Sequence, residues 1–591
     1  MEYDCRIEGD ALICTITADR DLTAPLFCFS AMAPIAVRAG GEVEDQLGGY
    51  TEVRLPDLAP GLPHRLTLVY AAGFRPANRA WMPMGPRLKA GAEIHVLPPT
   101  PTGCRPVAPL PKVPINGLPI LPQPTRWEPA GGSLDVSGFS SDDPAITAAA
   151  GLASRLHLRF AGETSVRLRD EDMPEDAYRL EITPEGVTLA AGSYGGRFYG
   201  AVTLMLLLAD GPLPCGVIED APRFGWRGQH LDCARHFYRP ETIHALIDVM
   251  ALMKLNRFHW HFADDEAFRL EIDGLPELWQ ATRLRGEGHL MPALFSDSAE
   301  AGGSYSKEDA KTLVEHARAL NIEVMPEIEA PAHALALARV YPEVRDPEDR
   351  GHETSVQGYR ENVVNPAMPK TWDVLEIMVR EVGALFPLGH IHLGCDELPE
   401  KTWMGSPAAR ALMEAEGLET TQDLQGWTIH RLAGVARAAG MRPAAWEEAA
   451  QGANGGIGHG ALLFSWTGQA PGIAAARRGY DVVMCPAQHV YFDMAASDDP
   501  GGWGASWAAF IGLEDTVAWS PVPEADIADR IAGVQGCFWS EFTTEDAQIW
   551  PMLLPRMLGM ASVAWQEEPP GGEKLAALAA RFPVPDRGPR A

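Results

Sequence analysis

The first part of the chain contains short segments in which apolar and polar residues alternate. Two of them are Ala11-Leu-Ile-Cys-Thr-Ile-Thr17 and Leu66-Thr-Leu-Val-Tyr70, and glycines and prolines separate such segments. Alternation with a period of two is typical of β-strands that bury one face. The pattern predicts an all-β module over residues 1–117, to which the sequence assigns no role. Residues 98–124 are dense in proline and predict an extended linker or a packed irregular strand.

A second pattern occupies residues 118–220. The segments Tyr178-Arg-Leu-Glu-Ile182 and Val187-Thr-Leu-Ala190 flank Thr183-Pro-Glu-Gly186, whose proline and glycine favour a tight turn. These residues therefore predict a β-hairpin. The following segment, 195–208, has apolar residues at helical spacing. Together they indicate a small α+β domain.

From about residue 221 to the end, short apolar runs alternate with amphipathic helical segments. Helices are predicted over 240–254, 307–320 and 422–439. The predicted strands begin near Gly228, Arg257, Ile322, His390, Pro443, Ala461, Val482 and Val534. Eight such strands with intervening helices predict an α/β fold, a (β/α)₈ or TIM barrel with insertions, and a C-terminal tail up to residue 591.

Chemistry in such a barrel is carried by residues at the C-terminal ends of the strands. The motifs at the predicted strands supply carboxylates, histidine, arginine, tyrosine and tryptophan, which a barrel built only for stability does not need. The candidate site residues are Arg227, Asp264, His333, Asp396, Glu397, Trp446, Trp466, Tyr491, Asp493, Trp539 and Glu541.

The adjacent pair Asp396-Glu397 is the sharpest of these features. Neighbours in a regular strand point to opposite faces, so two adjacent carboxylates reach one pocket only where the strand twists into a loop. An arbitrary Asp-Glu dipeptide is usually a solvated acidic loop. This pair follows the apolar run Ile391-His-Leu-Gly394 at the end of the fourth predicted strand, and that position favours a catalytic role.

The tryptophans indicate a carbohydrate site. Trp446, Trp466 and Trp539 each adjoin a polar or charged residue at a strand end, whereas Trp260 alternates with two histidines and is predicted to lie in the core. Sugars stack their apolar ring faces on aromatic rings while carboxylates accept hydrogen bonds from their hydroxyls.

Two other chemistries compete with this interpretation. His259 and His261 share one strand face, as metal ligands do in metal-dependent amidohydrolase barrels, but the other strand ends offer tryptophan rather than further ligands. Cys395 and Cys537 lie near the predicted site without a clear partner base, and we interpret both as packing residues. We therefore expect no metal and no organic cofactor.

Charge excludes another set of partners. The 591 residues contain 49 Lys and Arg and 79 Asp and Glu, a net charge of −30, which argues against nucleic acid and acidic membrane surfaces but not against a neutral sugar. No apolar stretch is long enough to span a membrane. The start of the sequence lacks the features of a secretory signal, and nine scattered cysteines fit reduced thiols, so we expect a cytoplasmic protein.

These motifs together resemble glycoside hydrolase family 20, the β-N-acetylhexosaminidases. The family's His/Leu-x-Gly-Gly-Asp-Glu pattern is matched by His392-Leu-Gly-Cys-Asp-Glu397. Arg227-Gly-x-x-Leu-Asp-x-x-Arg-His-Phe237, His259-Trp-His-x-x-Asp-Asp265 and Trp539-x-Glu541 match the first-strand, second-strand and late motifs in the right order. The resemblance covers about residues 118–565. It departs at Cys395 and at Ala332, where the family usually has glycine, and we expect these small-for-small changes to shift activity only subtly.

The resemblance implies retaining, exo-acting hydrolysis of terminal N-acetylglucosamine or N-acetylgalactosamine, with the substrate's acetamido group as nucleophile and an oxazolinium intermediate. Glu397 would be the acid and base. Asp396 would orient the acetamido N–H, and Tyr491 would bind the acetamido oxygen. Asp264 and His333 would form a relay behind Glu397.

The remaining residues would shape the pocket by the same resemblance. Trp446 and Trp466 would enclose the acetyl methyl group, and Trp539 would lie under the sugar ring. The distal hydroxyls would be held by Arg227, Asp493 and Glu541. The substrate would be a chitooligosaccharide, a glycan or a peptidoglycan fragment. A metal-dependent amidohydrolase and an inactive sugar-binding protein are the alternatives, and the sequence fixes neither the leaving group, the gluco or galacto preference nor the oligomeric state.

Overall fold

The computed structural model describes residues 1–100, 103, 104, 110, 114–452 and 455–583. Much of the proline-dense stretch for which we predict a linker falls outside the described residues. The strands are Glu2–Glu8 (β1), Ala11–Thr17 (β2), Leu26–Ser30 (β3), Ile35–Ala39 (β4), Glu42–Leu47 (β5), Tyr50–Arg54 (β6), Pro63–Tyr70 (β7), Met84–Ala90 (β8), Glu93–Val96 (β9), Arg126–Leu134 (β10), Phe139–Ser140 (β11), Thr164–Asp170 (β12), Tyr178–Thr183 (β13), Gly186–Ala191 (β14), Leu213–Asp220 (β15), Trp226–Asp232 (β16), Arg257–His261 (β17), Ala263–Asp264 (β18), Ala267–Phe268 (β19), Leu284–Gly286 (β20), Glu300–Gly302 (β21), Glu323–Glu327 (β22), His390–His392 (β23), Arg442–Trp446 (β24), Leu462–Ser465 (β25), Asp481–Met484 (β26) and Ile531–Gly536 (β27).

The α-helices are Pro144–Arg155 (α1), Tyr194–Asp210 (α2), Pro240–Leu252 (α3), Pro276–Thr282 (α4), Lys307–Ala319 (α5), Leu335–Val340 (α6), Pro369–Ala384 (α7), Pro407–Glu416 (α8), Thr421–Ala438 (α9), Gln469–Arg477 (α10), Ala487–Val490 (α11), Ile549–Leu553 (α12), Arg556–Trp565 (α13) and Gly572–Ala579 (α14). Among the described helices, none combines the length and apolar composition that crossing a bilayer requires.

The N-terminal module consists of two antiparallel sheets, ordered β1-β2-β7-β4 and β5-β6-β3-β8-β9. Leu12 and Leu68 of the first sheet share one core with Phe27 and Leu88 of the second. The module also bonds to loops at the catalytic side of the barrel. The amide of Asn78 donates to the carbonyl of Gly504 over 2.9 Å.

A six-stranded sheet, β10-β15-β13-β14-β12-β11, and helices α1 and α2 form the next unit. The predicted hairpin is present as β13 and β14, which pair antiparallel from Tyr178 opposite Ala191 to Thr183 opposite Gly186. The unit meets the barrel through buried charges. Asp220 at the end of β15 accepts from the ammonium of Lys254, 2.9 Å away, and from the indole of Trp565, 2.9 Å away.

The barrel is closed and parallel, in the order β16-β17-β22-β23-β24-β25-β26-β27, which confirms the predicted fold class. The three helices predicted by amphipathic spacing are present as α3, α5 and α9. Serine and threonine caps define the starts of two of them, because Ser306 and Thr420 each form a capping box with an aspartate three residues later. Trp260 is buried in the core, as predicted.

Candidate active site

Residues that follow six of the barrel strands line one cavity of about 460 Å³, which is within the size range of small-molecule pockets. The structure brings most of the predicted residues together there. Those lining the cavity are His333, Asp396, Glu397, Trp466, Tyr491, Asp493, Trp539 and Glu541.

The backbone after β23 explains how two adjacent carboxylates reach this cavity. Gly394, Cys395 and Glu397 all lie in the left-handed region, with φ of 68°, 82° and 51°. These values break the strand's alternation, so Asp396 and Glu397 both lie at the pocket although they are neighbours. The Asp396 side chain is 9% exposed and that of Glu397 is 22% exposed, so Glu397 is the more accessible of the two.

A chain of charged groups lies behind Glu397. The Nε2 atom of His333 is 3.5 Å from Oε2 of Glu397 and 3.7 Å from Oδ2 of Asp396, and its Nδ1 atom is 3.0 Å from Oδ1 of Asp264. Burial lowers the pKa of His333, but Asp264 and Asp396 outweigh burial and hold it well above its usual value. His333 is therefore a cation that links the two carboxylates of the pocket to Asp264.

Asp396 is a buried carboxyl whose environment disfavours its charged form. Burial raises its pKa to about 7, His333 opposes the rise and Glu397 adds to it. Its Oδ1 atom is buried without a hydrogen-bond partner among the described residues. A buried acceptor without a partner is costly, so a ligand N–H at this position would relieve that cost.

Aromatic rings form the walls. Trp466 stacks parallel to Tyr491, with ring centroids 6.4 Å apart, and Tyr491 lies 6.4 Å from Trp539. Trp446 lies one layer deeper: it is fully buried and its ring is 5.9 Å from that of Trp539. Its predicted contact with an acetyl methyl group stays a prediction.

The remaining polar end of the pocket contains Asp493, Glu541 and Arg235. Burial and the neighbouring Glu541 raise the pKa of Asp493 well above its usual value, and its Oδ1 atom has no partner among the described residues. Burial likewise raises the pKa of Glu541 to about 7, although Arg235 opposes it. These acceptors suit sugar hydroxyls at the closed end of a pocket.

The prediction that Arg227 binds the substrate is wrong in this structure. Arg227 is 1% exposed and its guanidinium bonds to Asp176 over 2.9 Å, at the contact with the α+β unit. It lies near the beginning of β16, whereas the catalytic edge is at the strand's C-terminal end. Arg235, three residues beyond that strand in the same motif, is the arginine that lines the pocket, and it bonds to Asp264 over 2.7 Å.

Sequence reasoning also missed residues that come from outside the barrel strands. The amide of Gln357, in the loop between α6 and α7, donates to Oε2 of Glu397 over 3.3 Å. The same cavity is also lined by Trp507, which lies between α11 and β27, and by Phe74 and Trp81 of the N-terminal module. No motif carries these residues, because their position results from packing between distant segments.

Neither Glu447 nor Cys395 has the surroundings of an enzyme nucleophile. The Glu447 carboxylate accepts from the backbone amides of Trp466 and Thr467, over 2.9 and 3.0 Å, and from the Thr467 hydroxyl. Burial raises the pKa of the Cys395 thiol well above its usual value, which disfavours the thiolate that nucleophilic chemistry requires.

A histidine cluster lies inside the barrel beneath the pocket. His259 and His261 both contact Glu327, with nitrogen to oxygen distances of 3.1 and 2.5 Å, and His392 is 2.7 Å from it. Burial lowers the pKa of His261, but Glu327 and Asp264 raise it to about 10. Among the described residues, ligand atoms lie within 4.8 Å of one another in three groups that could hold a metal ion by distance: His230, His261 and Glu327; His259, Glu327 and His392; and Asp264, Asp265 and His333. An ion pair between protonated His261 and Glu327 balances the negative charge of that carboxylate.

Comparison with known proteins agrees with this geometry. Residues 224–568 match the glycosyl hydrolase family 20 catalytic domain, and residues 117–221 match domain 2 of the same family. A β-hexosaminidase of Vibrio furnissii is 35% identical over 75% of this chain and 76% of its own length. A β-hexosaminidase of Vibrio vulnificus is 30% identical over 76% of this chain, which spans 61% of that longer protein. The crystal structure of a family 20 exo-β-N-acetylglucosaminidase from Vibrio harveyi in complex with N-acetylglucosamine is 28% identical. Its TM-score is 0.88, and 99% of this chain and 98% of that chain are covered.

Proposed function

This chain belongs to glycosyl hydrolase family 20 and is a glycoside hydrolase, and from that premise we propose that it is a retaining exo-β-N-acetylhexosaminidase. It would release terminal N-acetylglucosamine or N-acetylgalactosamine through an oxazolinium intermediate. The observation that carries this proposal is the buried Oδ1 atom of Asp396, which has no hydrogen-bond partner in the described part of the chain and lies beside Glu397 in an aromatic pocket.

In the first step, the Glu397 carboxyl gives its proton to the glycosidic oxygen as the bond to the anomeric carbon breaks. The acetamido oxygen of the substrate attacks that carbon and closes the oxazolinium ring. Asp396 accepts the acetamido N–H and stabilises the positive charge that develops there. Tyr491, buried against Trp466 and Trp539, would hold the acetamido oxygen in line for the attack.

In the second step, Glu397 removes a proton from water, and the water oxygen attacks the anomeric carbon from the side that the leaving group has vacated. This attack breaks the bond between that carbon and the acetamido oxygen, which opens the oxazolinium ring and regenerates the acetamido group. Two displacements at the same carbon give retention of configuration. Asp493 and Glu541 line the pocket, and Asp493 is buried, so we infer that they bind the distal hydroxyls and close the pocket beyond the bound unit. This closure supports exo action.

The test compares two aryl glycosides that differ only at carbon 2. A β-glucoside cannot form an oxazoline and leaves Asp396 and Tyr491 without partners, so kcat/KM should be at least about a thousandfold below that of the β-N-acetylglucosaminide, roughly 4 kcal/mol. A thiazoline mimic of the cyclised intermediate should inhibit tightly. Comparable rates on both glycosides without thiazoline inhibition would indicate an enzyme nucleophile instead, and Glu541 would then be examined first because Glu447 is engaged by backbone amides.

Replacement of Glu397 by glutamine tests the acid. An amide cannot supply the proton, so Glu397→Gln should lose most turnover on poor leaving groups and least on very good ones in the first step. The measurement is kcat/KM across a series of aryl leaving groups. Undiminished rates on all of them would remove Glu397 from this role.

A further inference from the structure

Glu448 is a mostly buried glutamate that lies just outside the catalytic pocket. The indole Nε1 of Trp466 donates to its carboxyl group and lies 3.2 Å from each of the two oxygens. Trp466 lines the cavity, and Glu448 contacts it from behind. The contact therefore joins a wall of the pocket to a polar group that has no part in the proton transfers.

Strand register explains why Glu448 reaches Trp466. The strands β24 and β25 pair in parallel, with Trp446 opposite Phe464. Glu448 and Trp466 each follow those paired residues by two positions, so they lie side by side where the two strands end. The chain enters a short 3-10 helix, Glu447–Ala450, directly after β24. The contact thus depends on the pairing of two barrel strands rather than on the course of a long loop.

Trp466 is held at two points. Its backbone amide donates to Glu447 over 2.9 Å, and its ring nitrogen donates to Glu448. A tryptophan side chain has two rotatable bonds, so anchoring both its backbone and its ring nitrogen defines the orientation of the ring. In that orientation the ring is within 16° of parallel to Tyr491, with centroids 6.4 Å apart. Loss of the Glu448 acceptor would leave the indole N–H without this hydrogen bond and the ring free to turn away from Tyr491.

Glu448 is a neutral acceptor. Burial raises its pKa well above the usual value, and Glu447 and Asp396 add to the rise. The carboxyl group is therefore protonated at neutral pH and brings no further negative charge near Asp396. A neutral group of the same shape with an acceptor oxygen, such as the amide of glutamine, can replace it in this contact. A nucleophile, or a charge that supports the intermediate, could not be replaced in that way.

We propose that Glu448 is a positioning residue that sets the width of the acyl pocket between Trp466 and Tyr491, and thereby the preference for N-acetyl over longer N-acyl groups. This inference rests on the proposed function, in which Trp466 encloses the acetyl methyl group and Tyr491 binds the acetamido oxygen. One methylene group more or less in a hydrophobic pocket changes kcat/KM by a factor of about 10–200. A fixed wall therefore gives strong selection between acyl groups, and a mobile wall gives weak selection.

The test measures kcat/KM for aryl β-glycosides of glucosamine that carry either an N-acetyl or an N-butanoyl group. Glu448→Leu removes the acceptor, and we expect it to lower kcat/KM for the N-acetyl substrate, and the ratio of N-acetyl to N-butanoyl values, by about tenfold each. Glu448→Gln keeps a neutral acceptor and should stay within about threefold of the wild type on both substrates. Glu343→Leu is the control, because Glu343 is an exposed glutamate in another short 3-10 helix, Pro342–Val344, and it should change neither value.

A second comparison tests whether Glu448 acts through the ring nitrogen of Trp466. Trp466→Phe lacks the N–H donor and should by itself lower the N-acetyl to N-butanoyl ratio. Adding Glu448→Leu to Trp466→Phe should then lower the ratio no further, because residues that act through one contact are not additive. Urea midpoints should show that each variant is folded.

The outcomes separate this inference from the proposed function. An unchanged ratio in Glu448→Leu, additive losses in the double variant, or a loss in Glu448→Gln as large as that in Glu448→Leu would overturn the role of Glu448 alone. A wild type that neither hydrolyses the N-acetyl substrate nor binds the thiazoline would overturn the proposed function and the role of Glu448 with it.

Discussion

Cys395 occupies a backbone conformation that suits glycine, the residue that the family's motif has at this position. Its φ of 82° costs a residue with a Cβ atom about 1–2 kcal/mol. The ordinary order of stabilities, in which alanine exceeds glycine, should therefore be reversed here. We predict that Cys395→Gly is more stable than Cys395→Ala by about 1 kcal/mol, as measured by urea unfolding. An alanine variant equal to or more stable than the glycine variant would show that the turn is not strained.

The raised pKa of Asp396, about 7, predicts the acidic side of the pH profile. Below that pH the carboxyl takes up a proton and loses the charge that supports the intermediate, so kcat/KM should fall by about tenfold per pH unit as pH decreases. Asp396→Asn should be about 10²–10³ slower and should lack this dependence. Glu541→Gln is the control, because Glu541 also has a pKa of about 7 and its removal should leave the acidic limb in place. An unchanged limb in Asp396→Asn would assign it to another group.

At the scale of elements, β22 brings charge into the barrel interior. Burial raises the pKa of Glu327, but His392, His261 and His259 outweigh it and hold the pKa well below its usual value. Removing one partner of a buried ion pair leaves the other uncompensated. We predict that Glu327→Gln lowers the free energy of unfolding by about 3–5 kcal/mol.

Glu323, at the other end of β22, provides the comparison for that measurement. It pairs with Arg318, which is 54% exposed, over 3.3 Å. Glu323→Gln should therefore cost less than about 1 kcal/mol. Similar losses of unfolding free energy in the two variants would mean that the charge of Glu327 does not stabilise the barrel.

At the scale of the whole molecule, we expect substitutions of Arg227 and Arg235 to affect different properties. Loss of Arg227 should lower stability, and loss of Arg235 should lower catalytic efficiency. Arg227→Met breaks the buried pair with Asp176 between the α+β unit and the barrel, and we predict a loss of about 3–5 kcal/mol in unfolding free energy with less than about threefold change in kcat/KM. Arg235→Met should lower kcat/KM at least about a hundredfold, because its guanidinium lines the pocket. The opposite assignment of effects would restore the sequence-based role of Arg227.

Periodicity predicted the barrel well because each strand and helix is defined by its own residues. Pocket residues such as Asp396 and Trp466 follow shortly after a strand, so local position was enough to find them. Arg227 was misplaced because a motif does not show which of its residues lies at the beginning of a strand and which beyond its end. Phe74 and Gln357 were missed for a different reason: segments far apart in the chain bring them to the pocket.

The N-terminal module supplies one wall of the pocket, yet it has its own hydrophobic core, built from residues such as Leu12 and Phe27. The proton-transfer groups and part of the pocket wall are thus encoded in two separately packed units. Substitutions on the module's loops would reshape this wall while the proton-transfer groups keep their geometry. The enzyme's selectivity can therefore drift, or be engineered, without a compensating change in its catalytic carboxylates.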